Sequence, residues 1–419
     1  MALSITEKKV FKLHLFFSTA EGITRGVIAL NAFVLLKSLN GTEDQVGYLF
    51  TITWGIMVLT VLFNILMKNS KNIKRMLNIM SLITRAPMLL FAFFPLIDNQ
   101  GKDLFPHLFL LIFLLYFISQ PFFMPVINLA LKTNYSKENF GRLFSYSNMV
   151  RNGSTLLATL VFGIMLDFNN NAYTIIYPVT GLLGFISIYT LTLIDFKTYD
   201  PEVKGTIYQK LIFHLKKMWQ ILSKNKPYRD FEIGFVFYGI AFMITDSVIK
   251  IFMGEYLKLN YTTLSVYENL RWIFAIGLTP IFARVVDKMD PRKLGIISFL
   301  SLAVYILFIG LTQYFDQTFR LFGLEMHITI VISLLFFGVF TATNGILWSI
   351  GSAYFCKDKD AADYQSIHMS LTGIRALIFP IIGIEILKNF NYSINFISGI
   401  IFLTISCLIL YYSMKKYNI

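Results

Sequence analysis

The chain has 419 residues, of which 56% are hydrophobic and 15% charged, with a mean hydropathy of +0.62 and a net charge of +13. That composition excludes an ordinary soluble domain, and two cysteines, Cys356 and Cys407, exclude a disulfide framework or a cysteine-rich metal site. The positive charge does not point to nucleic acid, because it lies in short loops between long apolar segments rather than on one face or tail.

Lys8, Lys9 and Lys12 precede the first apolar run, and no small-residue cleavage site follows it, so the run reads as a retained helix rather than a signal peptide. A helix needs about 20 mostly apolar residues to cross a bilayer. Twelve segments qualify, at approximately 13–36, 45–67, 76–97, 106–131, 144–166, 172–195, 232–256, 264–286, 294–314, 327–351, 367–387 and 393–414. The expected fold is an all-α integral membrane protein whose 12 transmembrane helices form two pseudo-symmetric six-helix bundles. The halves are residues 1–195 and 232–419. The linker, 196–231, contains Ile207, Leu211, Ile212, Leu215, Met218, Trp219 and Leu222 at helical spacing, which predicts an amphipathic helix on the membrane surface.

The loops alternate in charge. One set, with both termini, holds 26 of the 37 Lys and Arg residues, and the other holds five. The positive-inside rule therefore puts both termini in the cytoplasm. The halves also echo each other: Leu39-Asn40-Gly41-Thr42 in the loop after the first segment is similar to Leu259-Asn260-Tyr261-Thr262 after the seventh. This predicts two parallel repeats.

Between segments eight and nine runs Ala283-Arg284-Val285-Val286-Asp287-Lys288-Met289-Asp290-Pro291-Arg292-Lys293. With the topology, the linker and the repeat, this resembles the loop signature of the major facilitator superfamily, with Ala283 in place of the usual Gly. The equivalent loop in the first half, from Asn64 to Arg75, keeps its basic residues but has Met67 where the acid is expected. The resemblance implies that Asp287, Lys288 and Arg292 belong to a conformational charge lock and that segments one and seven line a polar cavity. Pro380-Ile381-Ile382-Gly383 faintly resembles an element of drug antiporters, although those carry it in segment five.

Six cations lie inside apolar runs: Arg25, Arg85, Arg151, Lys250, Arg271 and Arg375. A charge at the centre of a spanning helix costs about 2.5–3.5 kcal/mol on insertion scales, so such residues face a cavity or the bundle interior. Glu21 and Arg25, and Asp246 and Lys250, are four apart; Glu268 and Arg271 are three apart. Each pair can neutralise itself on one helical face, either as helix–helix glue or in a solute pathway with Glu21, Asp246, Lys250, Glu268 and Arg271 taking part in coupling. Arg85, Arg151 and Arg375 have no acid at that spacing. They are candidates to hold a carboxylate or phosphate in a guanidinium fork, with Arg25, Asn152 and Trp348 as further substrate contacts.

The expected function is a secondary active transporter that moves a small anionic or zwitterionic organic solute by alternating access, with the proton as coupling ion. Two alternatives stand beside it: a proton-coupled antiporter for lipophilic drugs, and a membrane receptor or assembly partner that moves nothing. No Walker-type phosphate loop, metal-ligand set or nucleophile–base set stands out, so neither an enzyme nor a cofactor is expected. The expected partners are the lipid bilayer and the solute, with the chain a monomer in a bacterial inner membrane.

Overall fold

The computed structural model describes residues 3–60, 62–63, 72–96, 104–196, 207–286, 289–357 and 360–417. The helices are α1 (Ile5–Ile28), α2 (Glu43–Gly55), α3 (Ile73–Arg85), α4 (Leu104–Ile118), α5 (Gln120–Asn134), α6 (Lys137–Phe168), α7 (Tyr173–Leu191) and α8 (Ile207–Lys224). They continue as α9 (Lys226–Ile251), α10 (Tyr261–Val286), α11 (Pro291–Leu311), α12 (Ile328–Ile346), α13 (Ala361–Ala376), α14 (Phe379–Asn389) and α15 (Tyr392–Lys416). A short hairpin, β1 (Thr318–Leu321) and β2 (Leu324–His327), interrupts the helical pattern and was not expected from the sequence. Its two loop residues, Phe322 and Gly323, both have positive φ, the geometry of a tight hairpin turn.

Among the described residues, ten helical stretches are long and apolar enough to cross a membrane. The other two expected segments differ for separate reasons. The one at 45–67 runs beyond the described residues. The one at 264–286 lies in α10, whose 26 residues span about 39 Å but include Glu268, Arg271 and Arg284. The membrane surface is explicit on α7. Ile175, Val179, Leu182, Ile186 and Tyr189 recur every three or four residues and are exposed, while Thr180, Gly181, Gly184 and Ser187 face inward. Small and polar residues inside with aliphatic ones outside is the pattern of a helix solvated by lipid.

The chain divides into two compact units. Unit 1 comprises Met1–Gln45, Leu59–Ile207 and Asn260–Ser265; unit 2 comprises Val46–Val58, Tyr208–Leu259 and Val266–Ile419. In unit 1, α1 packs against α6 through Gly22 and Gly26. A Cβ at Gly26 would meet Ala158 Cβ and the Thr159 nitrogen at 2.9 Å, and the Thr159 hydroxyl donates to the Gly26 carbonyl at 3.0 Å. In unit 2, Gly383 lies against the Ile244 backbone. Asn395 Nδ2 donates to the carbonyls of both Ile244 and Gly383 at 3.0 Å, tying α15 to α9 and α14. A side-chain bond of this kind contributes about 1 kcal/mol within a membrane. The break between α13 and α14 follows from Pro380, which has no N–H to offer the carbonyl one turn back.

Within 196–231 the chain forms the helix α8. Leu215 and Trp219 are exposed, Ile212, Met218 and Leu222 are half-buried, and Lys217 Nζ lies 2.6 Å from Asp363 of α13.

The internal repeat is visible in the backbone, but two residues out of step with the sequence echo. A π-helical turn, Val34–Ser38, lies beyond α1 after the short helical turn Asn31–Phe33, and another, Phe252–Tyr256, directly ends α9. Each turn is followed by a left-handed residue, Asn40 (φ 51°) and Lys258 (φ 50°). Asn40 therefore matches Lys258, not Asn260. In this register Glu21 falls at Gly239 and Arg25 at Met243. The charged pairs of the two repeats are then about two turns apart, roughly 10 Å along the helix.

Candidate functional site

Unit 2 gathers four charges. Asp246 and Lys250 lie on α9, Glu268 and Arg271 on α10, and Asp246, Lys250 and Glu268 are all less than a tenth exposed. The spacing predicts an Asp246–Lys250 pair, but Lys250 instead makes a short ion pair with Glu268. Arg271 Nη1 donates to both oxygens of the same carboxylate at 2.9 and 3.1 Å, and its guanidinium carbon lies 3.9 Å from the centre of the Phe337 ring. One carboxylate thus serves two cations from two helices and ties α9 to α10, which an Asp–Lys contact along a single helix cannot do. Asp246 remains within electrostatic reach of Arg271 and Lys250, yet makes no hydrogen bond or direct ion pair among the described residues. The cluster is neutral as a whole, and Asp246 is the member that can gain a proton without breaking a bridge.

Unit 1 carries a more open cluster. Glu21 and Arg25 pair along α1 at 3.0 Å, as their spacing predicts, and the Arg25 side chain is 42% exposed. Arg151 of α6 lies within electrostatic reach of both; its Nε is buried without a hydrogen-bond partner among the described residues. Asn152 follows it, half-buried. Arg85 is placed differently. It is buried, with its guanidinium 4.0 Å from the centre of the Tyr116 ring, and its chain runs over Gly184 of α7, where a Cβ would meet Arg85 Cδ at 3.2 Å.

These helices, the repeat and the charge placement agree with the family comparison. The sequence model of the Major Facilitator Superfamily matches residues 15–359. The chain belongs to that superfamily. Solved structures of similar fold include a point mutant of the nucleoside transporter NupG, 15% identical, with 97% of this chain and 100% of that one covered at a TM-score of 0.74. The peptide transporter POT in complex with sulfate is 15% identical, covering 97% and 94% at 0.69. The xylose transporter XylE from E. coli, in an inward-open conformation, is 14% identical, covering 96% and 94% at 0.62. No curated protein matches the chain by sequence. The protein is thus an integral, multi-pass membrane transporter and not an enzyme.

The remaining candidates of this transporter fall in different places. Arg375 is buried in the helix packing: Nη1 donates to the Phe235 carbonyl at 2.7 Å and Nη2 to the Thr372 hydroxyl at 2.9 Å. Gly239 supplies the room, since its missing side chain would collide with the guanidinium. Trp348 lies in a π-helical turn, Leu347–Gly351, where its carbonyl accepts from Gln365 Nε2 at 3.0 Å. Of the lock candidates, Asp287 and Lys288 lie outside the described residues. Arg292 is 1% exposed and holds Asp290 (Nη2–Oδ2, 2.6 Å), the carbonyl of Ser413 (3.0 Å) and that of Tyr417 (3.0 Å). It thereby fastens the start of α11 to the end of α15.

Sequence reasoning missed the buried pair of Glu232 on α9 and His368 on α13. The five histidines show no ligand spacing, so none drew attention. The available signal was an acid inside the opening turns of an apolar helix.

Proposed function

We propose that this transporter moves a small anionic or zwitterionic organic solute by alternating access and couples the movement to protons. The observation that carries the reading is the buried four-charge cluster in which Asp246 makes no direct contact with a partner among the described residues. A carboxylate in that position needs a nearby cation or a proton, so a change in the reach of Arg271 or Lys250 is also a change in its proton occupancy. The substrate class rests on unit 1, where Arg25 and Arg151 outnumber Glu21 and the Arg151 fork is not fully used. The nucleoside, peptide and sugar transporters of similar fold support an organic solute. The distribution of Lys and Arg supports cytoplasmic termini.

The test is transport in proteoliposomes with three labelled probes: a monocarboxylic acid, an amino acid and a neutral hexose. The acid or the amino acid is expected to accumulate when a pH gradient is imposed. Asp246→Asn is expected to lose that accumulation while retaining exchange of the same probe across the membrane. Equal rates for all three probes sink the substrate class, and undiminished accumulation in Asp246→Asn sinks the coupling role.

A further inference from the structure

Far along α9 from Asp246, Glu232 and His368 have side chains that are 2% and 1% exposed. His368 Nδ1 lies 3.2 Å from both carboxylate oxygens of Glu232. The imidazole is held edge-on by Phe235 and Trp348, with ring centres 4.8 and 4.9 Å away. Its Nε2 is buried and has no hydrogen-bond partner among the described residues.

Polar groups also stand on the Glu232 side of this pair. The Tyr228 hydroxyl, one turn before Glu232, lies within hydrogen-bonding reach of that carboxylate and donates to the Tyr364 carbonyl at 2.7 Å. Asn225 Nδ2 donates to the Tyr364 hydroxyl at 3.0 Å. Asn225 and Tyr364, with Lys357 and Asp360, line a surface pocket of about 580 Å³.

The groups around the pair are few. Tyr228 comes from α9, and Tyr364 and Arg375 from α13. Arg292 of α11 lies behind Phe355, held by Asp290. From α15 comes Ser406, bonded to the Gly234 carbonyl. Arg375 feels Glu232 electrostatically, but its two terminal nitrogens are already committed to Phe235 and Thr372. Among the described residues Glu232 therefore has His368 as its one direct basic partner, and a buried carboxylate left alone is costly.

We propose that Glu232 and His368 form a proton-binding site, separate from the Asp246 cluster. Empty, the pair is a carboxylate accepting from a neutral imidazole Nδ1–H, with one negative charge. Filled, it has taken one proton from hydronium onto the free lone pair of Nε2, leaving water behind, and is neutral. Its use in transport rests on the reading given above, but its occupancy does not.

Trp348 supplies the readout, because an imidazolium against an indole quenches its fluorescence. In the full-length protein with Trp54, Trp219 and Trp272 replaced by Phe, Trp348 emission is expected to fall as the pH is lowered and the imidazole gains its charge. His368→Gln is expected to flatten that titration. Glu232→Gln is expected to change its midpoint, which a histidine titrating alone would not do. If the triple variant does not purify, the difference between the parent and Trp348→Phe gives the same curve. Emission from Trp348 that ignores pH, a quench that survives His368→Gln, or a midpoint untouched by Glu232→Gln each overturns the proposal. No solute is present, so the result is independent of whether the transport assignment holds.

Discussion

Glu268→Gln is the most direct test of the unit 2 charge cluster. The substitution keeps the shape of the side chain and removes the charge that Lys250 and Arg271 share. Their side chains are 8% and 14% exposed and that of Glu268 is 9% exposed, so water cannot replace the lost partner. Removing one member of a buried ion pair costs about 3–5 kcal/mol. With 1 kcal/mol worth about 2–4 °C in a unit of this size, Tm is expected to fall by about 6–20 °C. Glu268→Gln combined with Lys250→Met restores neutrality, because Asp246 then faces Arg271 alone, and is expected to recover at least half of the loss. The assay heats wild type, both single variants and the double variant in detergent and follows the monodisperse fraction by size exclusion. A Tm for Glu268→Gln within about 2 °C of wild type, which is less than 1 kcal/mol here, refutes the reasoning. So do losses that simply add in the double variant, because residues in one network must couple.

Arg375→Met is expected to lower stability by about 1.5–3 kcal/mol, the range for a hydrogen bond to a charged group, while Arg151→Met changes Tm little; equal losses in the same assay would remove the distinction drawn between the two arginines. Gly26→Val drives a branched side chain into Ala158 and Thr159, and the expected result is loss of the monodisperse peak, whereas a normal profile would show that α1 and α6 can separate at no cost. Lys217→Ala breaks an ion pair whose lysine is 40% exposed, so its effect is expected to stay below about 1 kcal/mol, checked as a Tm shift of no more than a few degrees.

What could be read from sequence was whatever repeats along one helix. Apolar length marked most of the spanning segments, and the three- and four-residue spacings found Glu21–Arg25 and Glu268–Arg271. Choices made between helices were out of reach. Lys250 has an acid four residues before it and another on α10, and nothing in the order of residues says that it takes Glu268. Arg85 and Arg375 look alike as lone cations inside apolar runs, yet each is seated over a glycine on a neighbouring helix, Gly184 and Gly239. Glu232 and His368 are 136 residues apart, and no local pattern announces that they meet. The repeat register was misjudged because four similar loop residues outweighed a backbone feature that side chains do not encode.

That backbone feature bears on history. A π-helical turn holds one residue more than the α-helix around it, so it records an insertion. Such a turn stands beyond α1 and at the end of α9, and a residue in the left-handed conformation follows each two positions later. Two independent insertions at one matched site would be a coincidence, whereas one insertion in an ancestral half-length chain, copied when the gene doubled, accounts for both. The side chains of the two copies have since diverged to the point that an acid in one falls on a glycine in the other. The widened turn is older than the difference between the halves.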